Sequence, residues 1–295
     1  MSASARVRDA LVAAGLDVEG VTDLVARALI EDLRDGPDVT TEATVDAATS
    51  ATADVVARSR GVVAGVVVAL AVLDAVAFPL DGVAVVRGDG DWVEPGEVVV
   101  TLRGPLRPLL VAERTLLNVL THLSGVATAT RAWVDALAGT GCVVRDTRKT
   151  LPGLRDLEKY AVRCGGGRNH RRSLGDAALI KDNHVAAAGG VAAAVRAVRE
   201  RAPGVVVEVE CDTLDQVRDA VGVGARLLLL DNMDLDQLRA AVVLARSEAD
   251  VALEASGGLT IARARAVAET GVDFVAVGAL THSSPALDLG LDVRA

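Results

Sequence analysis

Aromatic side chains are nearly absent from this 295-residue chain: two Phe, two Trp and one Tyr make up 2% of it. The hydrophobic fraction of 51% is therefore carried by small aliphatic residues, which excludes the poorly hydrophobic class of disordered chains. Cysteine is scarce too. Cys142, Cys164 and Cys211 are odd in number and lack CxxC spacing, so neither a disulfide framework nor a structural zinc site is expected. No apolar run reaches the ~20 residues of a membrane span. The most apolar stretch, Gly61 to Leu73, runs straight into Asp74 and reads as buried strand and helix. The opening MSASARVRDALVAAGLD has no apolar signal core, and a cytoplasmic location is expected.

Positive charge is in deficit, 31 basic against 40 acidic residues, for a net −9. A general nucleic-acid or anionic-membrane binder needs the opposite balance. Lysine is scarcest of all: Lys149, Lys159 and Lys181 are the only three. From Arg145 to Arg172 there are nine Lys or Arg and three acids, a local +6 that leaves −15 for the rest. A solvated basic face is the plain explanation. The loop-forming company of Gly165, Gly166, Gly167, Asn169 and His170 favours instead a positive pocket for a small polyanionic ligand.

The length fits two domains or one large barrel. The first ~110 residues open with amphipathic helices (Val7 to Ala14, Val21 to Leu33) and continue with Val-rich strands, Ala53 to Arg58, Gly61 to Val68 and Val98 to Leu102, divided by Gly, Pro and Asp turns. This is an α+β pattern with nothing that looks catalytic. Beyond Arg114 apolar strands alternate with Ala-rich helices. The expected strands are Cys142 to Asp146, Ala178 to Lys181, Val205 to Glu210, Leu227 to Asp231, Val251 to Ala255 and Asp273 to Val277, and the helices Val191 to Arg201, Leu214 to Val221, Leu235 to Ser247 and Ile261 to Thr270. Six or seven such β/α units fall short of an eightfold barrel.

What stands at the strand ends carries the chemistry. They read Asp146-Thr147-Arg148-Lys149, Lys181, Glu208 with Glu210, Asp231, Ser256-Gly257-Gly258 and Gly278-Ala279, and barrel enzymes assemble their sites from that rim. An ion pair would explain any one of them, but not six together. The two late glycine loops let backbone N–H groups approach a phosphate. Glu210 and Asp231 suit Mg²⁺ with retained waters or a ribose hydroxyl pair, or else merely balance the basic cluster. Arg148, Arg171, His170 and Lys181 offer donors to carboxylates. Lys181 at a strand end also leaves open a Schiff-base barrel enzyme. His122 and His184 read as hydrogen-bonding residues, and Trp92, Trp133 and the cysteines as packing.

AERTLLNVLTHLSGVAT from Ala112, DTRKTLPGLRDLEKYAVRCGGGRNHR from Asp146, DAALIKDNHV from Asp176, VEVEC from Val207, LLLDNM from Leu228, EASGG from Glu254 and VGALTHS from Val277 closely resemble the quinolinate phosphoribosyltransferase family. The resemblance runs in order from about residue 22 to the C-terminus. It implies an N-terminal α/β sandwich, residues 1–113 rejoined by 283–295, and an incomplete α/β barrel, residues 114–282, in a homodimer or higher homo-oligomer. It implies transfer of phosphoribosyl from phosphoribosyl pyrophosphate to quinolinate with Mg²⁺ and decarboxylation, giving nicotinate mononucleotide for NAD biosynthesis. By resemblance, Arg148, His170, Arg171 and Lys181 line the quinolinate pocket, with Arg114 entering from the partner subunit. Lys149, Glu210 and Asp231 handle phosphoribosyl pyrophosphate and its metal, so that Lys149, Lys181, Glu210 and Asp231 are the catalytic set, and Thr147 joins the substrate contacts. Ser256, Gly257, Gly258, Gly278 and Ala279 match the 5′-phosphate loops, with His282 close by. Leu151 departs from the pattern, where a polar residue is expected. An altered, oxyanion-binding relative, as among molybdenum-transport-associated proteins, is the remaining alternative, and the full set of site residues speaks against it.

Overall fold

The computed structural model describes residues 3–294. Their backbone contacts gather into two units: one runs to Arg131 and takes in Leu151–Gly166 and the C-terminal segment from Ser283, while the other comprises Ala132–Thr150 and Gly167–His282.

The first unit opens with helices Ala5–Ala13 and Val18–Leu33, which bury Val7 and Leu11 and then Val21, Val25 and Leu29 at four-residue spacing. Asp17 caps the second by accepting from Gly20 N. Strands β1 (Ser50–Ala57), β2 (Gly61–Val62), β3 (Val83–Val85), β4 (Trp92–Val93) and β5 (Val98–Pro105) follow. An antiparallel sheet runs in the order Leu289–Arg294, β1, β5, β3, so the C-terminal strand pairs along β1. The strand expected over Gly61 to Val68 is only two residues long. Gly65 turns the chain at φ +100°, and Val66–Ala75 is a nearly all-buried helix. A continuous apolar run has no periodicity to tell strand from helix, and the αL turn at Gly65 decides it.

Helix Leu106–Ala136 follows β5 without a break. A domain boundary at 113/114 would fall inside this helix. The segment 151–166 clusters with the first unit because helix Arg155–Cys164 is buried there on most of its circumference. Glu158 accepts from Leu151 N at 3.1 Å and bonds His122 Nε2 at 2.9 Å, while Tyr160 donates to Asp89 at 2.6 Å. Leu151 contributes its backbone N–H to this network and leaves its side chain exposed.

The second unit is one six-stranded parallel sheet built from β6 (Val143–Arg145), β7 (Ala177–Ile180), β8 (Val206–Cys211), β9 (Leu227–Asp231), β10 (Ala252–Ser256) and β11 (Phe274–Ala276). Its order is β6-β11-β10-β9-β8-β7, with β6 and β7 unpaired to each other among the described residues. This is the incomplete barrel. Val144, Val209, Leu228, Leu230, Leu253 and Val275 are buried on it, as expected of parallel strands with both faces covered. Helices Val191–Arg201, Leu214–Gly222 and Leu235–Glu248 alternate with the strands, the latter two opened by Thr213 and Asp234 capping boxes. The helix expected over Ile261 to Thr270 is a 3₁₀ turn, Ile261–Arg263, followed by Ala264–Ala268.

Candidate active site

Parallel strands deliver all their C-terminal residues to one rim, and in the second unit that rim surrounds a cavity of about 340 Å³. Thr147, Arg148, Lys149, His170, Arg171, Leu179, Lys181, Glu210, Leu229, Asp231, Glu254, Ser256 and Ala276 line it. A larger cavity in the first unit, about 840 Å³, is walled mainly by aliphatic residues such as Leu29, Ile30 and Val76 and lacks a comparable convergence of charge.

Two cations in this wall have no partner for part of their fork. The Nε atoms of Arg148 and Arg171 are buried without a hydrogen bond. Burial, and then the neighbouring Arg148, push the Arg171 guanidinium below its usual range. Adjacent, partly desolvated arginines of this kind need an anion between them. Lys181 ends β7 and holds Glu210 Oε2 at 2.7 Å, while its backbone N–H is accepted by His184 Nδ1 at 2.9 Å.

Carboxylates line the same cavity, Glu210 and Asp231 among them. Asp231 ends β9, and Oδ2 accepts from Asn232 Nδ2 at 2.6 Å. Asn232 is left-handed at φ +54°, and its N–H donates to Ser256 O at 3.0 Å. A Cβ on Gly257 would lie 2.2 Å from Asn232 Oδ1, so only glycine lets the loops after β9 and β10 close on each other. Gly278 serves Lys149 in the same way: its missing Cβ would sit 2.8 Å from Lys149 Cδ, and Thr281 Oγ1 bonds Lys149 O at 2.7 Å. Nearby, partial burial followed by the charges of Asp231 and Asp182 raises the carboxyl of Asp212. Crowded hard oxygens of this sort suit a divalent cation.

Beneath the cavity lies a layer of buried acids. Asp146 accepts from His170 N at 2.8 Å and Asn169 Nδ2 at 2.5 Å. His170 Nε2 lies 2.6 Å from Glu208 Oε2 and 3.6 Å from Glu254 Oε1. Glu254 is in turn paired with Arg145 at 2.5 Å. Burial, and then Glu208, lift the Glu254 carboxyl to about 7. His170, Glu208 and Glu254 group closely enough to ligate a metal. The direct His170–Glu208 hydrogen bond and the Arg145 pairing fill that space with a hydrogen-bonded network instead. Burial pushes the thiols of Cys142, Cys164 and Cys211 up to about 12, which leaves no thiolate ligand or nucleophile.

Of the residues singled out in the sequence, Thr147, Arg148, Lys149, His170, Arg171, Lys181, Glu210, Asp231 and Ser256 share the cavity wall. Gly257, Gly258, Gly278, Ala279 and His282 follow the ends of β10 and β11 without lining it. Arg114 belongs to the first unit, exposed on helix Leu106–Ala136. The basic run from Arg145 to Arg172 is not one pocket: Arg155, Lys159 and Arg163 lie on the first unit's helix Arg155–Cys164. Sequence reasoning passed over Arg145, Glu254 and Asn232. The motifs EASGG and DNM contain the last two, but nothing in spacing alone separates them from packing residues.

Models of the quinolinate phosphoribosyl transferase N-terminal and C-terminal domains match residues 38–124 and 126–292. The chain belongs to the quinolinate phosphoribosyltransferase family. It is 53% identical to the nicotinate-nucleotide pyrophosphorylase [carboxylating] of Mycobacterium leprae over 280 residues, covering 94% of this chain and 98% of that one. The human enzyme of the same name is 43% identical over 211 residues, 70% of this chain and 71% of its own. The solved structure of the Francisella tularensis nicotinate-nucleotide pyrophosphorylase superposes with a TM-score of 0.88 at 39% identity, covering 94% and 96% of the two chains. The sandwich and the six-stranded open barrel are thus the architecture of the quinolinate phosphoribosyltransferases.

Proposed function

We infer that the rim cavity performs the reaction of the family: phosphoribosyl passes from phosphoribosyl pyrophosphate to quinolinate, which loses carbon dioxide, giving nicotinate mononucleotide and pyrophosphate. The chain is a pentosyltransferase of de novo NAD biosynthesis. The observation that carries the assignment of the site is the pair of buried, unpartnered guanidinium nitrogens on Arg148 and Arg171, in the lining of the same cavity as the carboxylates Glu210 and Asp231. A substrate with two adjacent carboxylates suits the arginines, and a ribose with its pyrophosphate suits the carboxylates and Lys149.

In this reading Arg148, His170, Arg171 and Lys181 hold the quinolinate carboxylates, joined by Arg114 of the partner subunit in a homodimer. Ser256, Gly257, Gly258, Gly278, Ala279 and His282 surround the 5′-phosphate, and Thr147, which lines the cavity, joins the substrate contacts. Glu210 and Asp231 fit Mg²⁺ as two carboxylates lining one cavity, with the carboxyl of Asp212 nearby raised by burial and then by the charge of Asp231. An ion held by them would supply positive charge to offset that of a departing pyrophosphate. Lys149 supports the same leaving group, and Glu210 and Asp231 stabilise the positive charge that builds on the ribose as the anomeric C–O bond breaks. The pyridine nitrogen forms the new bond to that carbon. Its positive charge then accepts the electron pair left at C2 when the 2-carboxylate departs as carbon dioxide, and a proton from solvent completes the product. The arginines keep the 3-carboxylate fixed throughout. The Lys181–Glu210 pair argues against the Schiff-base alternative, because it commits the amine to an ion pair. No described helix is long and apolar enough to cross a membrane.

The test is a single assay with Mg²⁺, phosphoribosyl pyrophosphate and either quinolinate or nicotinate. Mononucleotide with stoichiometric carbon dioxide from quinolinate, and none from nicotinate, is expected. Turnover unchanged in Glu210→Ala with Asp231→Ala would remove the metal and ribose roles.

A further inference from the structure

His170 sits on a stretch with neither helix nor long strand, residues 167–176, between β6 and β7. Its backbone is anchored independently of its ring, through His170 N to Asp146. The ring is held by two other acids. Glu208 on β8 meets Nε2 at 2.6 Å, and Glu254 on β10 approaches to 3.6 Å while its second oxygen pairs with Arg145. These are alternate strands of the sheet, which in a barrel send side chains into a common interior layer.

Stability does not explain this layer. Glu208 is 3% and Glu254 0% exposed, and each keeps one oxygen buried with no hydrogen-bond partner, Glu208 Oε1 and Glu254 Oε1. Buried carboxylates cost more than their pairing returns unless every lone pair is satisfied. An arrangement that leaves two oxygens unsatisfied directly under a substrate-facing ring is the kind of local cost that folds retain for a site. Resting on the reading above, in which His170 contacts quinolinate, we propose that Glu208 and Glu254 are positioning residues. They turn Nε2 of His170 toward the strands and so fix the plane that the ring presents to the pyridine dicarboxylate. Arg145, which pairs with Glu254 and reaches Asn169 O at 3.4 Å, couples this pair to the loop that carries His170.

The experiment is a double-mutant cycle read by calorimetric titration of the whole protein with quinolinate. Glu208→Gln keeps the shape but removes the charge from the hydrogen bond, and should weaken quinolinate about tenfold, the scale of a hydrogen bond to a charged group. The KM for phosphoribosyl pyrophosphate should stay within about twofold, since in the reading above that ligand is held by residues other than His170. In a His170→Ala background the same substitution should add less than about twofold, because the group it positions is gone. A penalty of equal size with and without His170 would mean that Glu208 acts through the fold, and would overturn the proposal. Glu254→Gln, run through the same cycle, is the second variant should Glu208→Gln lower the unfolding midpoint. Wild-type protein that turns over quinolinate, combined with unimpaired binding in both Gln variants, sinks the positioning role alone. Wild-type protein that does not bind quinolinate sinks the underlying reading as well.

Discussion

Glu254 is wholly buried with its carboxyl group lifted from the ordinary range to about 7. The folded protein therefore holds that proton more tightly than the unfolded chain does, and the stability it contributes is complete below pH 4.5 and lost as pH rises through about 7. Glu254→Gln removes this slope. Urea denaturation should show wild type more stable relative to the variant at pH 5 than at pH 8, and a difference independent of pH would contradict it. Asn232 makes a different kind of contribution. Left-handed geometry is tolerable for Asn, and Asn232→Gly keeps it while deleting the amide that bonds Asp231. The variant should unfold near the wild-type temperature, with the KM for phosphoribosyl pyrophosphate raised about tenfold and that for quinolinate unchanged. Residues such as Arg148, Lys181 and Asp231 were legible because a charge at the end of an apolar strand has few structural uses. Glu254 and Asn232 were not, because their meaning lies in what meets them across strands, and no local pattern records that.

At the scale of elements, the six barrel strands were readable from apolar runs ended by charge, and no observed limit differs from the expected one by more than a residue. The exceptions share a cause. Gly61 to Leu73 has no period, and Ile261 to Ala268 splits between 3₁₀ and α geometry, so local propensity underdetermined both. The loops after β10 and β11 are set by close approach. Gly278→Ala would drive a methyl group against the Lys149 stem, and kcat should fall by about tenfold or more with the fold retained. Thermal unfolding beside the assay separates the two effects. In the sheet itself, Leu253→Ala on β10 should cost about 2–5 kcal/mol in denaturant unfolding, the range for a fully buried leucine.

For the whole molecule, the question is whether one chain makes one site. If Arg114 of the partner subunit completes the cavity, Arg114→Ala and Lys181→Ala proteins, each inactive, should recover activity when unfolded and refolded together. Random pairing leaves half the dimers mixed, each with one intact site, so about a quarter of wild-type turnover is expected. No recovery would confine Arg114 to its own chain. That the chain has two parts was visible in its change of texture, although residue 114 lies within helix Leu106–Ala136. What could not be read there is that residues 151–166 depart from the barrel unit and return to the sandwich unit, because the anchors His122 and Asp89 are far from Glu158 and Tyr160 in sequence.

That interleaving bears on how such a protein can be inherited. Any crossover between residues 131 and 155 gives one parent's helix Arg155–Cys164 to the other parent's sandwich, with buried Glu158 and Tyr160 facing side chains they were not selected with. The two units are therefore poor modules for shuffling. A hybrid gene joined in that window should yield far less folded protein than one joined elsewhere, and the pair should pass between lineages as a single block.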